Sequence, residues 1–135
     1  MIRVYTASKI ALAPFWHQFA AECPEVFLCS RWLKHMAIGT ADTPENAKHF
    51  WQEDFQDVAG CDLLLCYATE GQTLHGALVE VGVALALGKP VMVIGEHPSY
   101  GTWQWHPGVI RVPDIAGAMQ RIISVAFQYA RGPQS

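Results

Sequence analysis

Charge is scarce in this sequence: 16% of its 135 residues are Asp, Glu, Lys or Arg, against 51% that are hydrophobic. A chain with so much apolar surface to bury and so little net repulsion does not stay disordered. Long apolar runs are missing as well. The stretch 61–68 is broken by Asp62 and falls far short of the roughly 20 residues that cross a bilayer, so no membrane partner is expected. The N-terminus has no basic region followed by an apolar stretch and a cleavage site, which makes a cytoplasmic location the expectation. Nor is there a basic cluster. The nine Lys and Arg are scattered and the net charge is -3, so nothing draws a phosphate backbone and nucleic acid is not an expected partner.

Metal-ligand spacings are absent too. Cys23, Cys29, Cys61 and Cys66 form no Cys-x-x-Cys pair and are expected as buried, reduced thiols. The six histidines, at 17, 35, 49, 75, 97 and 106, include no His-x-x-x-His pair, so neither a metal nor a cofactor is expected. Without repeats or low-complexity tracts, one domain over 1–131 with a tail at 132–135 is the expected organisation.

What is present is an alternation of strand and helix signals. Ile2 to Ala7 is β-rich, and after Pro14 the residues Phe15, Phe19 and Ala20 recur at helical spacing. Val26 to Ser30 reads as a second strand, followed by a long polar loop to Asp42. Thr43 as N-cap, Pro44 at the first helical position and Glu45 in the first turn open a helix running to about Ala59, with Ala47, Phe50, Trp51, Phe55 and Val58 on one face. Asp62 to Ala68 is almost continuously apolar, as a central strand covered on both faces must be. A helix from about Ala77 to Leu87, capped by Gly88 with Pro90 beyond, leads to the strands of 90–95 and 108–112 and a last amphipathic helix over 114–130. The pattern predicts a single-domain Rossmann-like or flavodoxin-like α/β sandwich, with about five parallel strands and helices on both faces.

Ligands of such sheets bind beyond the carboxyl ends of the strands. One residue near that end is out of place. Glu80 sits among Leu78, Val79, Val81, Val83, Ala84, Leu85, Ala86 and Leu87, and a helix apolar all round is a buried one. An early-turn position gives the carboxylate the favourable end of the helix dipole, which predicts an anion facing a cavity. A charge so placed costs several kcal/mol and points to function, whereas the plain alternative is a first-turn acid in water.

Several segments together resemble the nucleoside 2-deoxyribosyltransferase family. They are Val4-Tyr5-Thr6-Ala7-Ser8, Ser30-Arg31-Trp32-Leu33, Cys61-Asp62-Leu63-Leu64 and Gly76-x-x-x-Glu80-x-Gly82 with Gly88-Lys89-Pro90. The resemblance spans the domain from the first strand to the fourth, and its Ser-Arg-Trp-Leu element suggests a less characterised branch. It implies that Glu80 attacks the anomeric carbon of a nucleoside or nucleotide, displaces the base and forms a glycosyl ester that water or a second base resolves. It also implies that Asp54, eight residues before Asp62, serves the leaving base, and that the Tyr5 hydroxyl orients the nucleophile. Their plain alternatives are an exposed helical acid and a half-buried strand aromatic.

Thr6, Ser8, Ser30, Arg31, Trp32, Thr73, His75 and Gly76 are the candidates for substrate binding. Arg31 and Trp32 could stack on a base, although Trp32 could equally lid the core. Gly76 and Gly82 would let substrate and sheet come close. Leu74 departs from the family, standing where transferases carry an acid for the sugar 5'-hydroxyl and monophosphate N-glycosidases carry a serine. Thr73 and His75 could instead hold a phosphate at the helix N-terminus. Trp103, Trp105 and His106 suggest a stacking wall or a subunit contact. A homo-oligomer follows from the resemblance. The competing reading is a module that binds or senses a nucleotide without turnover.

Overall fold

A sheet of five parallel strands in the order β2-β1-β3-β4-β5 organises the protein. The computed structural model describes residues 1–35 and 43–130. In chain order the elements are β1 (Ile2–Ala7), α1 (Ala13–Glu22), β2 (Val26–Leu28), α2 (Pro44–Ala59), β3 (Leu63–Tyr67), α3 (Gly76–Ala86), β4 (Val91–Ile94), β5 (Val109–Val112) and α4 (Ile115–Ala130). Short 3-10 turns at Ile10–Leu12, Arg31–Lys34 and Thr102–Trp105 complete the connections. β2 is shorter than the expected 26–30, because Ser30 already leads into the Arg31–Lys34 turn. Part of the expected loop, 36–42, and the tail 132–135 lie outside the described residues.

Each strand sends alternate side chains to opposite layers. Val4, Leu63, Leu65, Met92 and Ile94 pack with Trp16 and Phe19 of α1 and with Ala118 and Ile122 of α4. Tyr5, Ala7, Leu64, Cys66, Val91 and Val93 pack with Val58 of α2 and with Ala77, Val81 and Ala84 of α3. β3 is buried along both faces, which explains its unbroken apolar sequence.

Local signals account for the helix ends. Thr43 accepts a 3.2 Å hydrogen bond from the Asn46 N–H and Pro44 begins α2. At the end of α3, Gly88 takes φ 72°, while the Lys89 and Gly88 N–H groups reach back to the carbonyls of Ala84 and Leu85. This left-handed glycine cap ends the helix and hands the chain to Pro90 and β4.

The expectation that α3 is buried all round is corrected here. Ala77, Glu80, Val81 and Ala84 are buried, but Val79 is 48% and Leu87 52% exposed. α2 likewise leaves Trp51 and Phe55 partly in water, at 36% and 42%. Both helices cover the sheet with one narrow stripe and present apolar side chains outward. Among the described residues no helix is long and apolar enough to cross a membrane.

Candidate active site

The strand order reverses between β1 and β3, because the chain leaves β1 toward β2 on one side and returns to place β3 on the other. Tyr5 stands on β1 at this switch and Glu80 on α3, the helix that follows β3. The Tyr5 hydroxyl donates a buried hydrogen bond to Glu80 Oε2. Tyr5 is fully buried and Glu80 is 6% exposed. Burial pushes the phenol well above its ordinary value, so Tyr5 stays protonated and can act as donor.

Burial also pushes Glu80 up to about 8, opposed by the Tyr5 hydrogen bond and reinforced by the negative charge of Asp54. The expectation of a dipole-favoured anion is therefore corrected. Glu80 is the fifth residue of α3, in its second turn, where the dipole has faded and desolvation dominates. Asp54 is partly buried on α2 and is itself pushed up to about 6, first by burial and then by Asp57 and Glu53, with His35 and Arg31 pulling it down. Two carboxyl groups with values on either side of neutrality thus stand close enough to feel one another.

The other candidates occupy mixed places. Thr6 and Ser30 are both buried and bind each other, with Oγ1 and Oγ 2.8 Å apart and the Thr6 N–H reaching Ser30 Oγ at 3.2 Å. They clasp the chain just beyond β2 to the end of β1. Ser8 accepts from Trp16 Nε1 at 2.8 Å and gives its proton to the Lys9 carbonyl, which fixes the turn after β1. Trp32 donates from Nε1 to the Thr6 carbonyl at 2.8 Å. Thr73 and His75 are exposed, and His75 makes no side-chain cap on α3.

Gly76 faces Trp51, whose ring would lie 3.4 Å from an added Cβ, and Gly82 faces open space. Neither supplies the close approach to the sheet that was expected. Leu74 is 3% exposed and packs within the core beneath α2 and α3. Trp103 packs edge-on against Tyr100, whereas Trp105 stacks on the Arg111 guanidinium at 3.9 Å beside β5.

Sequence reasoning missed the partners of Arg31. Its guanidinium grips buried Asp57, with Nη2 to Oδ1 at 2.8 Å and Nε to Oδ1 at 2.9 Å, while its backbone N–H reaches Oδ2 at 2.9 Å. Glu53 lies 3.7 Å from Arg31 and 2.8 Å from His35 Nε2. These contacts tie the turn after β2 to the helix that carries Asp54. No pattern in the sequence marks them, since they join residues 18 to 26 apart. Among the described residues no three His, Cys, Asp or Glu side chains gather to hold a metal. Burial raises the Cys29 and Cys66 thiols to about 12, which leaves them poor nucleophiles.

The chain shares its fold with a solved N-glycosidase. The structure of the CMP N-glycosidase BcmB of Clostridium botulinum superimposes with a TM-score of 0.57 at 17% identity, covering 90% of this chain and 98% of that one. No protein-family model matches the sequence, and no curated protein does.

Proposed function

We propose that this protein cleaves or exchanges the N-glycosidic bond of a nucleoside or nucleotide, with Glu80 as nucleophile. The observation that carries the reading is the buried Tyr5–Glu80 pair at the switch point, electrostatically coupled to Asp54. The Glu80 carboxylate attacks the anomeric carbon as the bond to the base nitrogen breaks with its electron pair, and Asp54 gives the base a proton. A glycosyl ester remains on Glu80. In the second half, Asp54 takes a proton from water or from an incoming base, the ester bond breaks and the Glu80 carboxylate returns.

Proton distribution makes this arrangement selective. Between about 6 and about 8 the two carboxyl groups of the free site hold one proton, mostly on Glu80. The chemistry requires that proton on Asp54. An electron-poor anomeric centre beside Glu80 stabilises its anion and moves the proton the right way. Incubation with a panel of nucleosides and 5'-monophosphates, with and without an acceptor base, should release free base, and Glu80→Gln should abolish release while the fold survives. Turnover retained in that variant would overturn the assignment. Binding of an intact ligand with no cleavage by the native protein would favour the sensing module instead.

A second copy of this chain is the expected partner. Trp51 and Phe55, stacked edge to face at 5.8 Å, are exposed on the helix that carries Asp54, and Val79 and Leu87 are exposed on and at the end of the helix that carries Glu80, which packs beside it. Exposed apolar side chains on two neighbouring helices mark a surface suited to association. Sedimentation should give a dimer or larger assembly, and Val79→Glu with Leu87→Glu should return it to monomers. A native protein monomeric at assay concentration would refute this.

A further inference from the structure

After β4 the chain makes a tight turn over His97–Tyr100, with Pro98 presetting its second position and the Tyr100 N–H closing it on the His97 carbonyl at 3.0 Å. The three other side chains of this turn all bind backbone of the connection between β3 and α3. The Tyr100 hydroxyl accepts the Ala68 N–H at 2.9 Å and donates to the Ile94 carbonyl at 2.9 Å. His97 Nε2 lies 2.9 Å from the Thr69 carbonyl, and Ser99 Oγ accepts the Leu74 N–H at 3.2 Å. The turn therefore clasps the connection where it leaves β3 and again just before α3 begins at Gly76.

This clasp bears on Glu80 through the helix that follows. α3 buries Ala77, Val81 and Ala84 against the sheet, an apolar contact that sets how closely the helix lies but has little direction of its own. Hydrogen bonds are directional, and those of the turn set where the helix starts. A helix is stiff over one turn, so a shift at Gly76 is carried to Glu80, four residues on. Tyr5 stands on β1 and does not move with it, so the Tyr5–Glu80 hydrogen bond registers such a shift.

His97 holds the clasp in one protonation state only. Its Nδ1 lies 3.0 Å from the Ser99 N–H, which can only donate, so Nδ1 must accept. Its Nε2 faces a carbonyl, which can only accept, so Nε2 must carry the proton. The ring is thus a neutral imidazole. A second proton would occupy Nδ1 and oppose the Ser99 N–H, freeing the residue that grips Leu74. The charged groups that line the same groove as the ring are Glu70 on the connection and Glu96 beside the turn, both exposed, and the Tyr100 ring lies 5.7 Å away. Residues 63–88 and 90–110 contain neither Lys nor Arg, and both hydrogen bonds of the ring go to backbone.

Resting on the proposed reaction at Glu80, we propose that His97 is a positioning residue for that carboxylate. In its neutral form it holds the turn after β4 on the entry to α3, and on taking a proton it releases that entry.

The test reads the clasp and the reaction separately. In the native protein, ¹⁵N spectra of the ring at about pH 7.5 should show Nε2 protonated and Nδ1 bare. Protection of the Leu74 amide from hydrogen exchange, corrected for the intrinsic rate, should fall about tenfold or more between about pH 7.5 and 5.5. His97→Asn offers the Ser99 N–H an acceptor two residues back that does not titrate, and its Leu74 protection should stay level over that range. For base release at about pH 7.5, His97→Ala and Ser99→Ala should each lower kcat about tenfold with KM within about twofold, and the double variant should be no worse than either. His97→Asn should recover most of the loss. A protonated Nδ1, or Leu74 protection in the native protein that ignores pH, would overturn the clasp. Additive losses in the double variant, or kcat unchanged in His97→Ala, would overturn its link to Glu80. Exchange and spectra as expected in a native protein that releases no base would instead overturn the reaction and leave the clasp standing.

Discussion

The phenol of Tyr5 on the first strand and the carboxylate of Glu80 on the third helix share a buried hydrogen bond across 75 positions of chain. The bond favours the ionised form of Glu80 against the burial that disfavors it. Tyr5→Phe removes that support without leaving a cavity of any size. Base release should fall about 10- to 100-fold, as expected for losing one hydrogen bond to a charged group. The alkaline limb of the pH profile should move up, since Glu80 then holds its proton more tightly. An unchanged rate and limb in steady-state assays would remove Tyr5 from the site.

The pH dependence of kcat/KM should be bell-shaped, rising near 6 and falling near 8, from the values of Asp54 and Glu80. Below about 6 both groups are protonated and no nucleophile exists. Above about 8 both are ionised and no acid remains. The two limbs belong to the pair and not to either residue alone. Asp54→Asn should lower turnover about 10²- to 10⁴-fold on substrates whose base needs a proton, and should spare substrates with a good leaving group. A profile flat from 5 to 9 would contradict the carboxyl pair.

Much of this site was legible, and the reason is physical. A single carboxylate in an apolar segment ending in Gly88-Lys89-Pro90 stands out in the sequence, and the strand-helix alternation fixes which end of the sheet it lies near. Thr43 and Pro44, or Gly88, announce helix ends because capping is local chemistry. The protonation of Glu80 was not legible, because burial is set by neighbours distant in sequence and outweighs the local dipole. The outward apolar side of α3 was not legible for a related reason: an all-round apolar pattern does not say whether this chain or another one covers it. Arg31 and Asp57 meet only once the fold brings the turn after β2 against α2.

The ionic contacts around Asp54 yield a test with two signs. Asp57 and Glu53 raise its value while His35 and Arg31 lower it. Tyr5 and Glu80 face it from the neighbouring elements. Removing a negative charge with Asp57→Asn should move the acid limb of the pH profile down, and removing a positive one with Arg31→Gln should move it up. A general loosening of the fold would shift both variants in the same direction. Opposite shifts, read from kcat/KM profiles, identify the contacts as positioning and tuning elements for Asp54.

Glu80 also leaves a signature in stability that does not depend on any substrate. Its value rises from 4.5 to about 8 on folding, so the folded state binds the proton more tightly than the unfolded chain. The contribution is fully present below 4.5, declines as pH rises through the window from 4.5 to about 8, and is gone above it. In that window it lowers unfolding free energy by up to about 1.4 kcal/mol per pH unit. Asp54 adds the same sign between 3.8 and about 6. Glu80→Gln keeps the shape and the acceptor for Tyr5 but cannot ionise. Urea titrations at a series of pH values should show the native protein losing stability between 6 and 8, and the Gln variant should hold nearly constant there and exceed it at pH 8. Parallel curves for the two proteins would mean that Glu80 folds already ionised, and the proton distribution proposed for the active site would have to be reversed.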